Sequence, residues 1–371
     1  MTIELVVGAI EAILMVLIGL HLSIFLLYFE RKGSALIQDR VGANRANITG
    51  LGRKLGMPNL GIINTLVADP VKLFTKEDFV PDGADHFLHG LAPFLALFPV
   101  LITFAVIPFG DTITIAGHTF NLQAAGINAA ALYLLATIGI GVYGVALGGW
   151  ASNNRWALLG GIRATAQMIS YEIAMGLALV AVIMTYGTLD LQAMVRSQGG
   201  VWFGFLPRWG ILVQPLAFIL FLTAGVAESK RIPFDLPEGE SELILGYMVE
   251  YSGGKQAAFM FTDFAEQALT AMLLVTFFLG GWQVPWLYRD GFHFPGGHFL
   301  AIAPLAVSIL GVIAFLIKVV ILCAFLGLVR WSLPRFRYDQ LMRLGWKGLV
   351  PLGLANVLVT AFIIVATGGA H

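Results

Sequence analysis

Between Ala227 and Tyr251 the chain reads AESKRIPFDLPEGESELILGYMVEY, with six acids, Glu228, Asp235, Glu238, Glu240, Glu242 and Glu250, against two bases, Lys230 and Arg231. Crowded carboxylates are suited to proton exchange, because like-charge repulsion and desolvation raise their pKa values and the protons are shared by the group. The stretch lies between two long apolar runs. Carboxylates in that setting are costly unless hydrated, paired or protonated. Pro233 and Pro237 each remove a backbone donor and bias the preceding residue away from helix. We expect a folded, acid-lined loop; a plain solvated connector is the alternative reading of such a charge run.

Two further charges sit inside apolar runs. Glu172 lies about a third of the way along one of them, roughly 12 Å from its start at 1.5 Å per residue. Thr165, Met168, Glu172, Gly176 and Leu179 fall on one helical stripe, and Gly176 is expected to let a neighbour approach the acid. A buried acid held only for packing is the competing reading. Lys318, midway along a later run, is the natural counter-charge candidate for Glu172. Glu4 and Glu11 share a face near the start of the chain, Glu4 expected at the interface and Glu11 undecided. His86 and His89 are one turn apart without a third metal ligand nearby and read as interfacial side chains. Gly139, Gly141 and Gly144 spell G-x-G-x-x-G, but no strand precedes them; helix packing through small residues is the expected role. The single cysteine, Cys323, excludes an intramolecular disulfide and a Cys-ligated cluster within this chain.

The elements that must carry these residues are membrane helices. Of 371 residues, 58% are hydrophobic and 12% charged, with mean hydropathy +0.83, about half the charged fraction of a soluble domain. With zero net charge there is no nucleic-acid footprint. Apolar runs long enough to cross a bilayer, which takes about 20 residues, are expected near 3–29, 91–108, 127–150, 164–186, 211–227, 259–281, 302–329 and 348–367. The first has no basic segment before it and is too long for a signal peptide, so it is expected to be retained. The loops at 30–90, 151–163, 228–258 and 330–347 carry most of the Lys and Arg, which places them in the cytoplasm and both termini outside. From Leu60 to Phe74, apolar residues at Ile63, Leu66, Val67, Pro70, Val71 and Phe74 suit a helix along the membrane surface, kinked or divided at Pro70; a helix packed on the protein's own loops is the alternative. The expectation is an all-α integral membrane protein with about eight transmembrane helices plus this amphipathic surface helix. It is a single polytopic membrane domain, 1–371, with a cytoplasmic loop at 30–90 and an acidic one at 228–258.

Separated blocks coincide with one family. They are Glu30-Arg31-Lys32 with Ala35, Gln38, Arg40, Gly42 and Asn44; Ala68-Asp69 with KLFTKE (72–77); GIRATAQMISYEIAMGL (161–177); Ala227-Glu228, Arg231 and PFDLPEGESEL; and Arg330-Trp331 with PRFRYDQL (334–341) and Trp346-Lys347. Together, over essentially the whole chain, they resemble the quinone-site membrane subunit of respiratory complex I, the H-type subunit of bacterial NADH-quinone oxidoreductase. PFDLPEGESEL is highly specific. Two departures stand out: Ala43 where the family usually has proline, and about a dozen extra residues between Asn44 and Asp69.

The resemblance implies a proton-pumping NADH:quinone oxidoreductase, in which this subunit joins the redox arm to antiporter-like membrane subunits in the bacterial inner membrane. A tunnel for ubiquinone or menaquinone would open beside the first helix, the surface helix and the sixth helix. Its quinone-binding residues would be Arg31, Arg40, Asp69, Arg231 and Asp235. The proton relay would run through Glu228, Glu238, Glu240, Glu242 and Glu172, with either Asp263 or Glu266 in the sixth helix. No metal or cofactor is expected on this chain; NADH, FMN and Fe–S clusters would sit on partner subunits, including the one that holds the terminal cluster. A related subunit of a membrane-bound hydrogenase or other-donor dehydrogenase is the alternative within the superfamily. A free-standing ion or solute transporter using Glu172 and Lys318 is the alternative from another class.

Overall fold

The computed structural model describes residues 2–42, 68–115, 118–202, 204–237, 239–295 and 298–367; for Glu4, Glu11, Glu240 and Ser241 it describes the backbone alone. The long elements are helices: α1 (Thr2–Ile37), α2 (Asp69–Thr75), α3 (His86–Phe104), α4 (Ala130–Ala151), α5 (Arg155–Tyr186), α6 (Leu191–Ser197), α7 (Pro215–Glu228), α8 (Glu240–Leu243), α9 (Gly253–Phe278), α10 (Pro304–Ser332), α11 (Tyr338–Arg343) and α12 (Val350–Ala366). A π-turn at Leu344–Leu349 makes α11 and α12 one continuous rod. Six helical rods among the described residues are long and apolar enough to cross a membrane, namely α3, α4, α5, α9, α10 and the α11–α12 rod. α1 is 36 residues long, and α7 is a shorter apolar helix of 14. This is a multi-pass membrane protein.

Helices outrun the apolar runs that announce them. α5 begins at Arg155, nine residues before the expected start at 164, because Asn154 accepts a hydrogen bond from the Trp156 N–H and caps the first turn. Hydropathy marks the lipid-crossing part of a helix, whereas caps decide where the helix starts. α2 carries Pro70 in its first described turn, a position that tolerates proline, and exposes Val71 and Phe74. The remainder of the surface segment expected from Leu60 lies outside the described residues.

α9 is the axis of the bundle. Every residue from Thr262 to Phe278 is buried, although this run includes Asp263 and Glu266. It is packed by α1, α3, α7 and α10. By contrast, α12 turns Leu358, Phe362 and Val365 outward, as a lipid-facing helix does. Glycines set the closest helix pairs. A Cβ on Gly144 would collide with the backbone nitrogen of Ala96, so α3 and α4 meet backbone to backbone. Thr103 and Thr137 hydroxyls bond across the same seam at 2.9 Å. Gly149 and Gly161 play the same part between α4 and α5. The G-x-G-x-x-G run is thus packing surface, as its setting predicted.

Small β structures close one end of the bundle. β1 (Thr112–Ile115) pairs antiparallel with β2 (His118–Asn121), β3 (Val201–Trp202) with β4 (Leu206–Pro207), and β6 (Gly291–His293) with both β5 (Leu287–Tyr288) and β7 (Phe299–Ala301). They were not foreseen, because each strand is only two to four residues long and carries too little pattern to register. The acidic loop, α2 and α11 occupy the opposite end.

Candidate functional site

α7 ends at Glu228, and the chain turns sharply through Lys230, which has a φ of +51° and a buried side chain. Its Nζ lies 2.7 Å from Glu266 Oε2 and 3.1 Å from Asp263 Oδ1, two acids one turn apart on α9. Lys230, Asp263, Glu266 and Glu228 are 2%, 5%, 7% and 5% exposed. Burial alone would lower the Lys230 pKa; Glu266 and Asp263 outweigh it and hold the ammonium above its ordinary value. Neither carboxyl oxygen of Glu228 has a hydrogen-bond partner among the described residues. The site therefore encloses three carboxyl groups around one ammonium, and a buried acid left unpartnered is costly as an anion. Glu228 is also within electrostatic reach of Glu172.

Arg231 continues the cluster towards α1. Its Nη1 donates to Glu30 Oε2 at 3.0 Å, and the guanidinium lies 4.0 Å from the Phe264 ring centroid. Glu30 is shared with Arg330 of α10, so one carboxylate ties α1, the loop and α10 together. Asp235 accepts from Arg335 Nη2 at 2.6 Å, while its other oxygen has no partner among the described residues. Burial pushes the Asp235 carboxyl above the ordinary carboxylate range, and Arg335 only partly opposes this.

The loop is held by groups far away in sequence. Gln167 on α5 is fully buried, and its amide nitrogen donates to the carbonyls of Ala227 (2.7 Å) and Phe234 (2.8 Å). Phe234 stacks on Phe336 at 5.4 Å and lies against Tyr171 at 5.5 Å. The Tyr171 hydroxyl donates to the Leu341 carbonyl at 3.0 Å. The blocks at 161–177 and 334–341 and the stretch from Ala227 to Phe234 are therefore one packed unit. The stretch is a folded loop and not a solvated connector.

Asp235 pairs with Arg335 and Arg231 with Glu30, although the two stand only four positions apart in the chain. Several expectations need correction. Lys318 does not meet Glu172. Its Nζ donates to the carbonyls of Leu279, Gly281 and Gln283 at 2.8, 2.9 and 2.7 Å, closing the C-terminal end of α9. A Cβ on Gly176 would meet nothing within 4 Å; the glycine beside Glu172 is Gly139, whose Cβ would lie 2.8 Å from Glu172 Oε1. His89 is fully buried and stacks on Tyr251 with centroids 4.0 Å apart.

The remaining candidates spread outward. Arg31 pairs with Asp69, linking α1 to α2. Arg40 is exposed and donates to Gln38 at 2.7 Å, away from the cluster. Glu242 pairs with Arg163 at 2.7 Å on an exposed face. Glu240 opens α8, and Glu238 lies outside the described residues. Both Asp263 and Glu266 touch Lys230, so neither replaces the other. Sequence reasoning missed Lys230, Glu30, Arg330, Arg335 and Gln167 as members of the site. Each stood in a block singled out for its motif, but nothing local showed which way it points. Among the described residues no three His, Cys, Asp or Glu side chains converge as a metal site would require.

The family model described as NADH dehydrogenase matches residues 10–361. The chain is 42% identical over 348 residues to an NADH-quinone oxidoreductase H-type subunit of Cytophaga hutchinsonii, covering 94% of each chain. It is 45% identical over 346 residues to an NADH-quinone oxidoreductase H-type subunit of Geobacter metallireducens, covering 93% of each. Over 384 residues it is 37% identical to the corresponding subunit of Bdellovibrio bacteriovorus, covering 97% of each.

Proposed function

The chain belongs to the H-type subunit family of NADH-quinone oxidoreductase, as a membrane subunit of that oxidoreductase, and from this premise we propose that its buried charge cluster couples quinone reduction to proton movement. The observation that carries the reading is Lys230 enclosed by Asp263 and Glu266 beside Glu228, whose carboxyl is unpartnered among the described residues. Such a cluster stores a proton whose position responds to a charge placed nearby.

Electrons reach the site from cofactors on partner subunits; a quinone takes two electrons and two protons to become a quinol. This chain's part is to admit the quinone and to answer the charge. Arg31, Asp69, Arg40, Arg231 and Asp235 line the approach in this reading. An anionic quinone oxygen would compete with Glu30 for Arg231, since charge-assisted hydrogen bonds to guanidinium are strong on either partner. Loosening that pair changes the field at Asp263 and Glu266, and Lys230 transmits it to Glu228. Glu172 is the next acid, leading to neighbouring antiporter-like subunits. Glu238, Glu240 and Glu242 belong to the same relay in this reading. The same reading has α1 and α7 crossing the membrane to make eight spans, both termini outside, and the segment from Leu60 to Phe74 lying on the membrane surface. It also treats residues 1–371 as one polytopic domain.

Glu228→Gln in the assembled enzyme is the direct test. Gln keeps the shape but cannot exchange a proton. NADH oxidation with an artificial acceptor on the redox arm should persist, while quinone-driven proton uptake in inside-out vesicles falls by about a hundredfold or more, the range set by removing one proton-transfer group. Proton uptake equal to the parent in an assembled variant would show that Glu228 is structural.

A further inference from the structure

At the end of the bundle remote from the acidic loop, the connecting segments carry three arginines, Arg196, Arg208 and Arg289. Two of them share one acid. Arg196 donates to Asp111 Oδ1 through Nε at 2.9 Å and Nη2 at 2.6 Å, and Arg289 Nη2 donates to Oδ2 at 2.8 Å. Arg208 has no carboxylate partner among the described residues; its guanidinium carbon lies 5.8 Å from the Trp202 ring centroid.

Arg208 borders a cleft of about 380 Å³ between the ends of α5 and α12 and the β3–β4 hairpin, a size within the range of small-ligand sites, about 300–1,000 Å³. Its lining divides by polarity. Arg208 and Trp202 stand at the rim, and Gln214 forms a polar floor by donating to Thr185 Oγ1 (2.9 Å) and Thr360 Oγ1 (3.0 Å). Ile363 and Ile364 give the α12 side of the cleft its apolar part, between Thr360 and Thr367 of the same helix, and Phe362 and Ile363 are exposed on the outward face. An uncompensated guanidinium above an aliphatic wall matches a molecule with an anionic head and a hydrocarbon tail. Guanidinium suits phosphate because its planar donors can bond two oxygens at once. A Trp at the same level is characteristic of the membrane–water boundary.

We propose that this cleft binds the head group of an anionic phospholipid, with Arg208 on the phosphodiester and an acyl chain along Ile363 and Ile364. A soluble anion would leave the apolar wall unused, and a zwitterionic lipid would bring its own cation to the rim. The site is separate from the acidic loop and does not rest on the reading of the preceding subsection.

The test is photo-crosslinking of the assembled enzyme in phosphatidylcholine liposomes doped with a photoreactive phosphatidylglycerol, with labelled peptides identified by mass spectrometry. Label is expected in peptides containing residues 204–214 and 360–367. Arg208→Glu should cut it at least about fivefold there, a difference of about 1 kcal/mol, while label on the lipid-facing pair Phe94 and Phe98 stays unchanged. Arg208→Lys should retain an intermediate level. Equal labelling of the parent and Arg208→Glu would overturn the proposal, as would equal labelling by a photoreactive phosphatidylcholine. Loss of label on adding inorganic phosphate would reassign the cleft to a small anion. Label on the isolated full chain but not on the assembled enzyme would overturn it too, since a neighbouring subunit would then cover the cleft.

Discussion

Lys230 is the residue on which the cluster depends. Its ammonium is the compensating charge for two acids that α9 buries, and removing one partner of a buried pair leaves the other uncompensated. Lys230→Met should therefore cost about 3–5 kcal/mol and reduce the yield of assembled enzyme on native gels. Adding Glu266→Gln to Lys230→Met removes one of the stranded carboxylates and should restore part of that yield. If Lys230→Met alone assembles and melts like the parent, the acids are not held by this ammonium. Arg231 and Asp235 are distinct cases, since each answers to a different partner, Glu30 and Arg335. A substitution at Arg231 therefore bears on α1 and α10, not on Asp235.

The helix pairs depend on where glycine faces backbone. A side chain on Gly144 would collide with the Ala96 backbone, which cannot rotate away. Gly144→Ala should force α3 and α4 apart and cost about 1–3 kcal/mol, the usual penalty of overpacking. Gly176 sits in the interior of α5 with open space around it. Gly176→Ala should be neutral or stabilising by about 0.5–1 kcal/mol through helix propensity. Thermal unfolding of the purified enzyme with subunit-specific detection separates the two; equal effects would mean that the α3–α4 contact does not limit stability. Lys318 belongs to this scale as well. With three carbonyls on one ammonium, it satisfies the end of α9 from α10, a requirement that lipid surroundings make strict.

At the scale of the whole molecule, the acidic loop presents Ile244 and Leu245 outward although Leu243, Tyr247 and Met248 are buried. An apolar edge on an acid-rich surface is suited to a protein partner, and family membership makes other subunits of the oxidoreductase the partners of this chain. Cysteine introduced by Leu245→Cys should react quickly with a hydrophilic maleimide in the isolated chain and slowly in the assembled enzyme. Cys323 is buried and gives a low background. Equal rates in the two preparations would place the partner's surface elsewhere.

Much of this was legible in the residues themselves. Long apolar runs can only be membrane helices, because unpaired backbone groups are not tolerated in lipid, and the separated blocks from Glu30 to Lys347 pointed to the family. The acids of the candidate site were also visible, since an ionisable group within or beside an apolar run is costly enough to demand a role. What tertiary structure alone decided is pairing. Glu30 meets Arg231 and Arg330 across 201 and 300 positions, and Lys230 reaches Glu266 across 36. Sequence spacing predicts neighbours only within one helix, one turn apart. Which helix lies alongside, and at what rotation, is set by glycine contacts and side-chain packing summed over the bundle. That is why Lys318 looked like a partner for Glu172 and became a cap for α9, and why Arg335, a hundred positions from Asp235, is the cation that holds it.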